Sequence, residues 1–232
     1  MPHEKKPRKP RKPRAPKDPS LRHKMYRYRL YPTRKQAGTL EWILRRSKEL
    51  YNAALEERTA AYKMCGVSIT YQMQADQLPD LKEERPEYRE IFSQVLQDVL
   101  HRIEKAMGNF FRRVKNGEVP GYPRYKSTSR YHSFTYPQSG YEIIETPTRK
   151  KNSKKNDKQT CTLHLSKIGH LKMVMHRPIQ GTIKTCSIKR DGDHWYACFS
   201  VEYKFDPTMA FHPSPEEVGI DLGLKSYAVL LA

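Results

Sequence analysis

Long apolar runs are missing from this chain of 232 residues. The longest, such as YAVLLA at 227–232, falls far short of the ~20 residues needed to cross a bilayer. The charged N-terminus has none of the apolar core of a secretory signal. Cysteine is scarce: the four, at 65, 161, 186 and 198, form no C-x-x-C pair, and their spacings suit neither a zinc ribbon nor a disulfide framework. The nine histidines are scattered, with no H-x-x-x-H pair. The sequence therefore predicts no zinc site, reduced and mostly buried thiols, and neither a membrane nor a secreted protein. Acidic residues are also few, 25 against 44 Lys and Arg, for a net charge of +19. Hydrophobic residues make up 37%, against a usual ~45–50% counted with glycine, so part of the chain lies outside a packed core. Fifteen Tyr and seven Phe exclude disorder throughout. A positive surplus of this size draws polyanions, nucleic acid first and anionic membrane second.

Residues 1–24 read as a basic, proline-rich, disordered arm, with ten Lys and Arg against two acidic residues. Pro7, Pro10, Pro13, Pro16 and Pro19 recur every third residue, the period of polyproline II. Either a sliding phosphate-binding arm or a merely solubilising tail fits that pattern. Order is predicted from Met25, where Tyr26, Tyr28 and Leu30 alternate with Arg27 and Arg29 in a half-buried strand. Thr33 is the expected cap of a helix running to about Met64, stopped by Gly66. Thr70 opens a shorter helix, halted near Pro79. A further helix is predicted over 88–116, its stripe from Ile91 to Val114 read as core packing. After Gly117 the pattern turns to β, with strands at 160–165, 168–175, 182–189 and 195–203. Asp191-Gly192-Asp193 is the hairpin signal between the last two.

Basic residues threaded among aromatics can neutralise phosphates and stack on bases, each stack being worth ~1–3 kcal/mol. The candidate nucleic-acid contacts are Arg27, Arg29, Arg112, Arg113, Tyr122, Arg124, Tyr125, Lys126, Arg130, Lys150 and Lys151. Phe134 and Tyr136 are expected in a small β-barrel core instead. The loop carrying Lys150 and Lys151 has charge without aromatics, so a plain solvated loop is also open there.

Asp221 stands in the otherwise apolar V-G-I-D-L-G-L of 218–224, where an unpaired carboxylate is costly. Two-metal phosphoryl transfer uses such a strand carboxylate, but one alone cannot hold the metal pair. The same D-x-G strand faces nucleotide phosphates in actin-like ATPases, and a structural aspartate is a third reading. Ser and Cys nucleophiles lack a suggestive neighbourhood.

Taken in order, Y-R-Y-R-L-Y-P-T-R-K-Q, S-K-E-L-Y-N, N-F-F-R-R-V-K-N, V-P-G-Y-P-R-Y-K and G-I-D-L-G-L-K-S-Y-A-V resemble the TnpB (OrfB) family over about 25–232. That family comprises transposon-encoded RNA-guided DNA endonucleases, the ancestors of type V CRISPR effectors. The resemblance implies an α+β fold: a β-barrel oligonucleotide-binding wedge, an inserted helical recognition lobe, and the first strands of an incomplete ribonuclease H-like (RuvC) domain. Its parts would be the arm at 1–24, a wedge strand at 25–33, the helical lobe at 34–117, the wedge barrel at 118–205, a linker at 206–216 and the nuclease start at 217–232.

The implied partners are a guide RNA and target double-stranded DNA. The implied cofactor is Mg²⁺, with Asp221 as first catalytic and metal-binding carboxylate. The second and third carboxylates and the family's four-cysteine ribbon do not occur in the 11 residues after Asp221. The chain is therefore expected not to cut DNA alone, and reads as truncated or part of a split gene. The alternatives are a nuclease-dead, RNA-guided repressor or a non-functional transposase remnant. The expected location is the prokaryotic cytoplasm, on the nucleoid.

Overall fold

The computed structural model describes residues 18, 20–145, 159–205, 219–221 and 229–231. Strand β1 (Leu21–Tyr31) turns Tyr26, Tyr28 and Leu30 inward and leaves Arg27 and Arg29 exposed, as a two-residue period dictates. It begins before the predicted Met25, because the residues ahead of Met25 have partners: Lys24 stands 4.6 Å over the Tyr203 ring and His23 is 3.9 Å from Glu202.

Thr33 caps helix α1 (Arg34–Cys65) with a complete capping box. Its hydroxyl accepts from the Gln36 N–H at 3.3 Å, and Gln36 Oε1 accepts from the Thr33 N–H at 2.9 Å. The Gln36 amide also donates to the His170 carbonyl at 2.7 Å, which ties the helix start to the sheet. Gly66 closes the far end at φ 66°.

Two short helices follow, α2 (Tyr71–Asp76), capped by Thr70, and α3 (Leu78–Glu84). As predicted, α2 ends just ahead of Pro79, at Asp76; Pro79 itself lies in the first turn of α3, where a missing N–H leaves nothing unsatisfied. The helix predicted over 88–116 is also interrupted. Pro86–Glu90 is a 3₁₀ turn, Ile91 is extended, and α4 is Ser93–Lys115. The break lets Tyr88 and Ile91 both sink into the core, with the Tyr88 hydroxyl donating to the Arg46 carbonyl at 3.4 Å. Tertiary burial here outweighs local helix preference. The α4 stripe is buried only as far as Ile103. Met107 is partly covered, while Phe111 and Val114 are exposed, against the prediction that they pack in the core.

Six further strands complete the sheet: β2 (Ser133–Tyr136), β3 (Tyr141–Glu145), β4 (Gln159–Leu165), β5 (Gly169–Met175), β6 (Thr182–Asp191) and β7 (His194–Lys204). Their order is β2-β6-β7-β1-β5-β4-β3, a seven-stranded antiparallel sheet. Its two edge strands are consecutive in sequence. The Tyr136 hydroxyl donates to the Ser166 carbonyl at 3.0 Å, and the Ser166 N–H donates to the Gly140 carbonyl at 2.8 Å, so the sheet curls into a nearly closed barrel. The fold is α+β, as the sequence implied. Asp191 pairs with His194, leaving Gly192 and Asp193 as a two-residue loop. Gly192 takes φ 58°, the positive value such a hairpin demands. Phe134 and Tyr136 are buried, as expected.

Arg102 of α4 binds the edge strand β2. It donates to the Ser133 carbonyl at 2.7 Å and to Thr135 Oγ1 at 2.9 Å, while Asp98 holds its Nε at 2.8 Å. None of the four cysteines is in a disulfide; Cys161, Cys186 and Cys198 are buried and Cys65 is exposed. No helix among the described residues is long and apolar enough to cross a membrane.

The chain divides into two units, His23–Tyr203 and a smaller one made of Met1–Arg22 with Lys204–Ala232. In the smaller unit, β8 (Gly219–Asp221) and β9 (Val229–Leu231) pair antiparallel with Asp221 opposite Val229. Most of the predicted arm, the predicted linker and the loop with Lys150 and Lys151 lie outside the described residues.

Candidate nucleic-acid interface

Helix α1 turns one polar edge, with Glu41, Arg45 and Lys48, away from the core stripe that buries Leu40, Ile43 and Leu44. Opposite it stands the tip of the β6–β7 hairpin with Lys189, Arg190, Asp191 and Gly192. Thr128, Ser129 and His132 close one end, and Leu44 and Tyr131 also line the resulting groove of about 730 Å³. Four cations thus face this space against two carboxylates. Arg190 binds Glu41 at 2.9 Å, and its backbone N–H donates to the His132 carbonyl at 2.8 Å. Among the described residues Lys48 Nζ donates to a neutral group, Thr128 Oγ1, at 3.1 Å. Arg45 and Lys189 have no ion pair among the described residues.

Tyr131 is buried at the groove, and its hydroxyl has no hydrogen-bond partner among the described residues. Desolvation pushes its pKa up to about 12, against the opposing pull of Arg102. A second cavity of about 360 Å³ shares Glu41 and Arg190 and continues past Arg29, Tyr31 and His194. A basic channel of this kind, with free ammonium and hydroxyl donors, suits a run of phosphates.

The predicted contacts fall into distinct places. Arg27 is committed within the protein: it bonds Asp191 at 2.6 Å and lies 3.7 Å over the Tyr196 ring. That bond holds the Asp191 carboxyl below its ordinary range, helped by Lys189. Arg27 thus positions the hairpin wall. Arg29 stands beside His194 at 3.1 Å and over Tyr31, in the second cavity. Lys126 is a staple, because the Asn52 side chain bonds both its N–H at 2.8 Å and its carbonyl at 3.0 Å. Arg130 is exposed, between the groove-lining Ser129 and Tyr131. Arg124 and Tyr125 are exposed on the segment leading to it. Arg112, Arg113 and Tyr122 gather instead at the end of α4, where the Tyr122 ring lies 5.2 Å from Phe110. Lys150 and Lys151 lie outside the described residues.

Sequence reasoning missed Arg45, Lys48, Thr128, Ser129, Lys189 and Arg190 as a group. The first two showed only as a polar helix face, and the rest lie 80 or more residues away.

Residues 22–66 match the OrfB family model described as "Helix-turn-helix domain". Over 207 residues, 88% of this chain and 46% of the relative, the chain is 24% identical to "Putative RNA-guided DNA endonuclease InsQ" of Escherichia coli (strain K12). Over 213 residues, 88% of this chain and 47% of the relative, it is 29% identical to "Putative RNA-guided DNA endonuclease" of Streptomyces pristinaespiralis. In these matches the chain is similar to the TnpB (OrfB) family. It spans about half the length of the curated relatives it matches.

In this chain, the segment that matches the helix-turn-helix model is built differently. It holds β1 and the single unbroken helix α1, with no second helix to serve as a recognition helix. For the metal implied by the resemblance, the described residues supply no set of ligands. Among the described residues no group of three or more His, Cys, Asp or Glu could hold an ion, and Asp221 is a single carboxylate on β8.

Proposed function

We infer that this chain is the nucleic-acid-binding part of a TnpB-type RNA-guided DNA endonuclease, taking guide RNA and target double-stranded DNA as partners. The observation that carries the reading is the basic groove between α1 and the β6–β7 hairpin. The names of the two relatives support it. In this reading the barrel is the oligonucleotide-binding wedge and the helices are the recognition lobe. The β8–β9 pair begins a RuvC-like domain, in which Asp221 would be the first carboxylate toward Mg²⁺.

The residues of the groove bind and orient. Arg45, Lys48, Lys189 and Arg190 neutralise phosphates, Thr128 and Ser129 offer hydroxyls, and the Arg27–Asp191 pair holds the hairpin in place. No cleavage step follows from these side chains. The chain purified by itself is expected to carry bound RNA of defined length, to shift duplex DNA when that RNA is present, and to leave the DNA uncut in Mg²⁺. A chain that copurifies with no RNA and shows no RNA-dependent DNA binding would refute the reading. Mg²⁺-dependent cutting by the 232-residue chain would refute its binding-only part.

A further inference from the structure

The apolar stripe of α4 outlasts its packing partner. The Arg58–Glu104 ion pair, at 2.7 Å, sets α1 and α4 side by side. Four residues past Arg58 is Tyr62, 65% exposed; seven past Glu104 is Phe111, 59% exposed. Tyr122 comes back onto this end. Its hydroxyl is 3.1 Å from Thr59 Oγ1 and its ring meets Phe110 edge-on at 5.2 Å, yet 43% of the residue stays exposed. Phe110 in turn sits edge-on to Phe111 at 5.2 Å. The result is an aromatic face at the far end of the helices, left open to solvent.

Cations rim this face. Arg112, Lys115 and Arg124 have no ion pair among the described residues, and Arg113 has only Glu118 at 3.6 Å. Two copies of the chain joined here would bring like charges together, so a second copy is disfavoured. A polyanion with flat apolar faces complements both features at once. Paired bases hide those faces within the helix stack, whereas unpaired bases expose them.

We propose that this end of α1 and α4 is a stacking platform for unpaired nucleotides, distinct from the groove, which takes phosphates of paired strands. The proposal rests on the nucleic-acid reading above and divides its labour. The one tyrosine that lines the groove, Tyr131, is buried, whereas the platform exposes the rings of Tyr62, Phe111 and Tyr122.

The test uses the 232-residue chain with one oligonucleotide carrying 2-aminopurine, offered single-stranded or in a duplex. Wild type is expected to quench the single-stranded probe on binding. Phe111→Ala and Tyr62→Ala, both at exposed positions, should each weaken single-strand binding at least about fivefold and diminish the quench. They should leave duplex affinity and both salt slopes unchanged, because no charge is removed. Wild-type single-strand affinity and quench in Phe111→Ala would overturn the platform while leaving the nucleic-acid reading intact. A wild-type chain that binds neither probe would overturn that reading, and the platform with it. A dimer dissolved by Phe111→Ala, with single-strand binding unchanged, would assign the face to a second copy instead.

Discussion

Replacing Arg45, Lys48, Lys189 and Arg190 together with alanine tests whether the groove binds phosphates. Among the described residues the only ion pair lost is Arg190–Glu41, whose side chains are 40% and 44% exposed. Such a pair is worth about 0–1 kcal/mol, so the variant should remain folded. Binding should change much more. Each duplex phosphate neutralised contributes about 0.9 to the slope of log K against log salt. Four lost contacts lower the slope by about 3.6, or by about 2.7 if Arg190 stays engaged with Glu41. Between 50 and 200 mM salt, wild-type affinity for duplex should therefore fall about 40- to 150-fold more than that of the variant. Fluorescence anisotropy with a labelled duplex across that range reads both slopes. Circular dichroism confirms that the variant is folded. If the folded variant's slope differs from wild type by less than about one, the groove is not where phosphates bind.

Three further outcomes test the fold. Arg102→Met should lower stability by about 2–3 kcal/mol in urea titration, because it strips two bonds from the α4–β2 junction and removes the partner of Asp98; a loss under about 0.5 kcal/mol would mean that β2 does not depend on that side chain. Gly181→Ala should cost about 2–3 kcal/mol or more and Gly192→Ala only about 1 kcal/mol. Both glycines have positive φ, but a Cβ at 181 runs into the Glu202 carbonyl, whereas the space at 192 is open, and equal losses would contradict this. Burial raises Tyr28 and Tyr131 from 10.0 to about 12, and Tyr136 further still. A raised folded-state pKa favours the fold fully below the unfolded value and loses that contribution as pH climbs, so alkaline unfolding should develop between about pH 10 and 12. Absorbance at 295 nm should show these tyrosines ionising together with unfolding; ionisation of all three near pH 10 in a folded chain would refute their burial.

Much of the local structure is legible in the sequence because its causes are local. The Tyr26, Tyr28 and Leu30 alternation, the Thr33 and Thr70 caps, the Gly66 stop and the Asp191-Gly192-Asp193 hairpin each depend on residues a few positions apart. The exceptions share one cause. Tyr88 and Ile91 break a helix that periodicity would continue, because both must reach the core. Phe111 and Val114 continue an apolar stripe that no neighbour is long enough to cover. Periodicity reports a face but not what lies against it.

The candidate site was less legible for the same reason. Arg27 and Arg29 look equivalent in an alternating strand, yet Asp191 captures the first from 164 residues away. Arg45 and Lys48 look like any solvated helix edge until the hairpin carrying Lys189 and Arg190 is folded opposite them. By itself, the sequence determined a cationic protein with an ordered, aromatic body, its element types, and the TnpB family resemblance, since composition and short-range pattern need no partner. Only the tertiary structure decided which cations are spent on internal carboxylates, which line one groove, and which aromatics stay outside the core. Those outcomes depend on the distances between residues far apart in the chain, and packing alone sets them.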